Sequence, residues 1–101
     1  MPVIIVHGPP TESAQALLHK VNQAVAGALG LRPVDVHSMF SPAGPAATGE
    51  QPDSAWPTAL LHGRARPPEL MAAAVNGVSA VLAEEFDVAP GRVWVQWVLT
   101  G

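Results

Sequence analysis

Two amphipathic stretches alternate with apolar runs along this chain. The first run, Val3-Ile4-Ile5-Val6, is β-branched and unalternating, and it stops at Gly8-Pro9-Pro10. That pattern predicts a strand buried on both faces. Thr11 and Ser13 then offer capping hydroxyls. Apolar residues come next at Ala14, Leu17, Leu18, Val21, Ala24, Val25, Ala28 and Leu29, with Gly30 beyond them. This is the stripe of a helix lying on a sheet, closed by a residue suited to a left-handed cap. Val34 to Phe40 reads as a second strand. Its alternation puts Val34, Val36, Ser38 and Phe40 on one face and Asp35, His37 and Met39 on the other. Ser41 to Trp56 is rich in Pro, Ala and Gly and predicts a long irregular loop of the kind that often binds ligands.

The remainder repeats this order. Pro57-Thr58-Ala59-Leu60-Leu61-His62-Gly63 echoes Pro2-Val3-Ile4-Ile5-Val6-His7-Gly8. A helix predicted from Pro67-Pro68-Glu69 carries Leu70, Met71, Ala74, Val75, Val78, Val81 and Leu82 on one face, with Phe86 closing the stripe. Val75-Asn76 is taken to match Val21-Asn22, with a small insertion near Glu84-Glu85. The last strand is Val93 to Leu99. A strand, a crossover helix and a parallel strand make a right-handed βαβ unit. The expected architecture is therefore α/β (α+β): two tandem βαβ units forming a four-stranded sheet with two helices on one face. One domain would span 1–101, with repeats 2–44 and 57–101 and a linker over 45–56.

Composition changes this picture in one respect. The 101 residues are 49% hydrophobic and only 13% charged, against the usual charged fraction of about a quarter. Helices cover one sheet face while the strands read as apolar on both, so the other face calls for neighbouring subunits. A net charge of −3 supplies no basic field for nucleic acid or an anionic membrane. No apolar run reaches the roughly 20 residues needed to span a bilayer. No secretory leader is recognisable before Val3, and a cytoplasmic protein is expected. The lack of cysteine excludes disulfides and thiolate chemistry.

Candidate chemistry centres on Pro2. A small second residue permits removal of Met1, which would leave a secondary amine held by strand hydrogen bonds. Such an amine can take an α-proton from a carbonyl compound and return it elsewhere. An apolar pocket or nearby cations would lower its pKa from the usual value near 8. While Met1 stays attached, the Pro2 nitrogen is an amide without a basic lone pair. Pro57 always has that form and reads as scaffold. His7 and His62 occupy equivalent strand ends and read as structural. A zinc site from His7, His37 and His62 fits no ligand spacing. Asp35 and Asp53 read as surface residues by default, and as weak candidates for proton shuttles.

Pro2 opening a strand, the βαβ unit and its duplication together resemble the tautomerase superfamily, whose members use an amino-terminal proline as catalytic base. Lys20-Val21-Asn22 and the run from Pro52-Asp53-Ser54-Ala55-Trp56 to Ala59-Leu60-Leu61-His62-Gly63-Arg64-Ala65-Arg66 resemble its 5-carboxymethyl-2-hydroxymuconate isomerase branch. The macrophage migration inhibitory factor branch has a similar duplicated layout, and both branches assemble as trimers. The resemblance implies a homotrimeric, cofactor-independent tautomerase without a metal, acting on a small unsaturated 2-oxo or 2-hydroxy acid, or its enol. Pro2 would be the general base and acid. Arg66, with Arg64 as second choice, would bind the substrate oxygens, joined by His37 in a position where single-unit members carry an arginine. Pro10 and Trp94 also stand where the pattern has arginines. Phe40, Trp94 and Trp97 could wall the pocket, although Trp94 and Trp97 point to opposite strand faces and at most one would do so. Two alternatives remain open: a tautomerase-fold binder or interaction trimer without catalysis, and a proline-dependent hydratase or dehalogenase.

Overall fold

Strand β1 (Val3–Gly8) alternates strictly between half-buried and buried positions, and its buried set, Ile4, Val6 and Gly8, faces the helices. The computed structural model describes residues 1–100. After β1 come α1 (Ala14–Leu29), β2 (His37–Pro42), a short hairpin of β3 (Ala46–Thr48) and β4 (Gln51–Asp53), then β5 (Thr58–Gly63), α2 (Pro68–Glu85) and β6 (Trp94–Leu99). The main sheet has the order β2-β1-β5-β6. β1 runs parallel to β2 and β5 parallel to β6, while β1 and β5 meet antiparallel at the centre. This is the expected pair of βαβ units.

Both helices pack on one face and against each other. Leu17, Val21 and Val25 of α1 and Ala74, Val78 and Leu82 of α2 are fully buried over Ile4, Val6, Ala59 and Leu61. The helices touch at Gly77, where an added Cβ would make an ordinary contact, 3.5 Å, with that of Ala24. Gly30 ends α1 in the left-handed region, with φ 70°. Ser13 makes no side-chain cap, and its N–H instead donates to Thr11 Oγ1 at 3.1 Å.

Backbone hydrogen bonds recur in the two units. His37 N–H donates to the Pro2 carbonyl at 3.1 Å, and Trp94 N–H to the Pro57 carbonyl at 3.0 Å. Ala43 N–H reaches Gly8 and Thr100 N–H reaches Gly63 in the same way. Leu31 N–H closes α1 on Ala26 as Val88 N–H closes α2 on Ala83. The helix ends thus superpose, and Val21 answers to Val78, not to Val75. The 18-residue α2 gains its length over the 16-residue α1 before the helix body, not near Glu84-Glu85.

Two sequence expectations need correction. Val34 and Asp35 lie in a 3₁₀ turn, Pro33–Asp35, not in a strand. Pro33 fits the first turn, and Arg32 clasps Asp35 through both backbone and side chain, so β2 begins only at His37 and Val34 stays 72% exposed. Pro90–Arg92 makes the matching turn before β6. The stretch expected to be irregular carries the β3–β4 hairpin, turned at Gly49 with φ 59°. Thr48 and Asp53 staple it at 2.6 Å.

The open sheet face carries Val3, Ile5 and His7 of β1, His37 and Met39 of β2, Leu60 and His62 of β5, and Trp94, Gln96 and Val98 of β6. Met39 is 45% and Trp94 64% exposed. Among the described residues no helix is long and apolar enough to cross a membrane.

Candidate active site

The antiparallel centre of the sheet decides which residues can meet. Because β1 and β5 run in opposite directions, the start of β1 lies beside the end of β5, where Val3 pairs with His62. Pro2 is therefore next to the segment leaving Gly63. A cavity of about 350 Å³ opens there, lined by Met1, Pro2, Leu31, Asp35, Arg64 and Arg66. The fold brings Pro2, Arg64 and Arg66, far apart in sequence, to one pocket.

The Pro2 ring is fully buried while Met1 projects into solvent. Arg66 is half-buried, and its Nε is buried without a hydrogen-bond partner. Neither Arg64 nor Arg66 makes an ion pair among the described residues. A guanidinium keeps its charge at any ordinary pH, and an unpartnered buried N–H is costly. An anionic ligand would satisfy both.

Asp35 completes the pocket from the turn before β2. Its carboxylate accepts from the Arg32 backbone N–H and Nε at 3.3 Å and from Nη2 at 3.4 Å. Hydrogen bonding to the Arg32 side chain and backbone, with the charges of Arg32 and the amino terminus in support, holds its pKa below the usual carboxylate value. Asp35 is therefore an anion at neutral pH, lining the same cavity as the two arginines. Alternation over 34–40 predicts a strand position for Asp35, and the 3₁₀ turn places it at the cavity instead. The available signal was the Arg32-Pro33-x-Asp35 spacing, which favours a clasped turn over an extended segment.

The other candidate residues lie elsewhere. His37 follows Asp35 closely and is exposed on the open face, paired in register with Val3. His62 flanks Val3 from the other side, whereas His7 sits at the far end of the strand. Phe40 and Trp97 point to the helix side and pack on the core, which removes them from the Pro2 pocket. Trp97 lies over Gly63, where an added Cβ would come within 2.8 Å of its ring. Trp94 is on the open face but pairs with Thr58, at the end of the sheet opposite Pro2. Within one chain it does not meet Pro2.

Comparison with solved structures places this geometry. A fused 4-OT, in an asymmetric trimer, superposes with a TM-score of 0.86 at 20% identity, over 97% of this chain and 85% of that one. The fold is that of the tautomerase superfamily. Macrophage migration inhibitory factor of Toxoplasma gondii matches at 0.75 and 21% identity, over 98% of this chain and 90% of that one. Malonate semialdehyde decarboxylase, described with decarboxylase and hydratase activities, matches at 0.75 and 19%, over 98% and 84%. No protein-family model matches the sequence, and no curated protein matches it. The tautomerase fold accounts for the duplicated βαβ units.

Proposed function

We propose that this protein is a proline-dependent tautomerase acting on a small monocarboxylate with an adjacent keto or enol group. The convergence of Pro2, Arg64 and Arg66 on one cavity carries the reading. With Met1 removed, the Pro2 amine abstracts a proton from the carbon next to the carbonyl and returns it at the other end of the enol system. The arginines hold the carboxylate and the oxygen on which charge develops. Arg66 is the principal contact, because its Nε has no other partner. Asp35 stands against a second substrate carboxylate, which favours monocarboxylates over dicarboxylates. No cofactor is needed for this proton transfer.

Asp35 also favours a second reading within the same site. Hydration of an unsaturated acid needs a proton donor and a group that orients water. The protonated Pro2 amine would give its proton to one carbon while Asp35 orients water onto the other; the proton the water loses passes to the free Pro2 amine and restores its protonated form. The Asp35→Asn variant separates the two: tautomerisation persists, whereas a hydratase is lost.

The active form would be a homotrimer; the fused 4-OT is itself a trimer. The apolar open face, with Met39 and Trp94 exposed on a single chain, supports this assembly. Sedimentation showing a stable monomer would refute it.

The decisive experiment begins with the intact mass of native protein. A mass lacking methionine is expected; one that includes it removes the base and leaves the non-catalytic binding reading. On processed protein with an arylpyruvate enol, Arg66→Ala should raise KM about 10- to 100-fold, the loss expected for charge-assisted hydrogen bonds. An unchanged KM would detach Arg66 from the substrate.

A further inference from the structure

Asp35, Arg64 and Arg66 line one cavity, yet among the described residues the carboxylate pairs with neither of these arginines. The strands that carry them flank β1, with His37 and His62 both in register with Val3. Adjacent strands lie about 4.8 Å apart, so the two flanks are separated by roughly 10 Å. That gap is within the joint reach of an arginine and an aspartate side chain, and opposite charges at that range attract. What engages Asp35 instead is Arg32.

Arg32 occupies both carboxylate oxygens. Oδ2 accepts from the Arg32 N–H and Nε at 3.3 Å, and Oδ1 accepts from Nη2 at 3.4 Å. The second unit shows that the turn does not require this clasp. There Ala89 stands in the place of Arg32 and Arg92 in that of Asp35. The backbone bonds are nevertheless the same. Arg92 N–H donates to the Ala89 carbonyl at 2.9 Å, as Asp35 N–H does to that of Arg32. Val93 N–H reaches Pro90 at 3.2 Å, as Val36 N–H reaches Pro33 at 3.0 Å. No side chain caps the second turn. Stability gives little reason for the clasp either, since the Arg32 side chain is 79% exposed and exposed ion pairs contribute little. What the clasp does change is the pocket beside it. With both Asp35 oxygens engaged, the buried and unpartnered Nε of Arg66 stays open to a ligand.

We propose that Arg32 is a positioning residue: its guanidinium holds the Asp35 carboxylate at the turn and thereby keeps Arg66 free for the substrate carboxylate. Without the Arg32 side chain, Oδ1 loses its donor and Arg66 closes on it, so that substrate must displace Asp35. The benefit to substrate rests on the proposed function of the Pro2 pocket; the clasp itself can be tested without turnover.

Arg32→Ala copies the residue of the second unit and retains the backbone N–H to Asp35. In ¹H–¹⁵N spectra of the full chain, Arg32→Ala should move the Arg66 Nε–H signal. The same substitution made in Asp35→Asn should not. An Arg66 signal that stays in place in Arg32→Ala, or that moves equally in both backgrounds, would overturn the proposal. On processed protein with an arylpyruvate enol, Arg32→Ala should raise KM about tenfold, the scale of one competing charge-assisted hydrogen bond, with a smaller change in kcat. In the Asp35→Asn background it should change KM by less than about twofold. Equal rises in both backgrounds would make Arg32 a prop of the turn and end its positioning role. Should the wild-type protein turn over no enol, the proposed function fails while the Arg66 signal still decides the clasp.

Discussion

The two ends of the sheet share a backbone and differ in chemistry. At one end the carbonyl of Pro2 receives the His37 N–H; at the other, that of Pro57 receives the Trp94 N–H at nearly the same distance. The segments leaving the two central strands set these ends apart. β5 runs into Arg64 and Arg66, whereas β1 runs into Pro9 and Pro10. The turn before β2 presents Asp35 clasped by Arg32; the equivalent turn before β6 presents Arg92, drawn away to Asp53 and Trp56. One end becomes a charged pocket and the other an aromatic surface. A duplicated scaffold fixes where the strand ends lie, and the short connections decide their chemistry.

The strongest way to break this comparison is to treat the two prolines alike. Pro2→Ala should lower turnover about 100-fold or more, the usual contribution of a positioned acid–base group. Pro57→Ala should leave turnover of the folded protein unchanged, because its nitrogen is always an amide. Similar losses in both variants, measured as kcat on samples of verified fold, would show that proline acts here as scaffold only.

Next in size is a packing difference at the ends of the central strands. An added Cβ at Gly63 would meet the Trp97 ring at 2.8 Å, and at Gly8 the Phe86 ring at 3.0 Å. Trp97 is held between β5 and the helices, whereas Phe86 sits at the C-terminal cap of α2. Gly63→Ala should therefore cost about 1–3 kcal/mol, as overpacking does, and Gly8→Ala less. Urea midpoints at constant slope measure both. Because Gly63 immediately precedes Arg64, its variant should also weaken substrate binding, which Gly8→Ala should not.

Most of the scaffold was legible because it is written in periodicity. The stripe from Leu17 to Leu29 and the echo of Pro2–Gly8 in Pro57–Gly63 sufficed for two βαβ units and the helix-covered face. The resemblance, and not spacing, put Pro2 and Arg66 forward together, and both line one cavity. The failures came where local hydrogen bonds override hydrophobic alternation. Val34 and Val36 alternate like strand residues, yet Pro33 and the Arg32–Asp35 clasp wind the chain into a turn. The Asp53 network likewise organises a hairpin from a segment whose composition predicts a loop. Phe40 and Trp97 illustrate another limit. Alternation shows that residues share a face without saying which face the helices cover.

A smaller effect is expected where the two halves touch through their helices. Gly77 of α2 faces Ala24 at an ordinary contact distance for an added Cβ, 3.5 Å, in helical backbone that does not require glycine. Gly77→Ala should stabilise the protein by about 0.5–1 kcal/mol through helix propensity. A loss in thermal midpoint would mean that the helices are packed more tightly there than an ordinary contact.

Acid offers the finest comparison, since each end has one carboxylate with a depressed pKa. Asp35 is lowered chiefly by the Arg32 side chain, and Asp53 chiefly by the Thr48 hydroxyl and then by the Ser54 N–H. For a group whose folded pKa lies below its unfolded value, the stabilisation is complete above the ordinary 3.8. It is lost as pH falls through the folded value. Both contacts are exposed, so the change in global stability should be slight and local probes are the better measure. Trp56 donates to Asp53; its indole N–H signal should move as pH drops below about 4, the ordinary carboxylate range, while that of Trp97 should not. In Asp53→Asn the Trp56 response should vanish, whereas Asp35→Asn should leave it intact. A Trp56 transition that survives Asp53→Asn would show that acid loosens the hairpin through some other group.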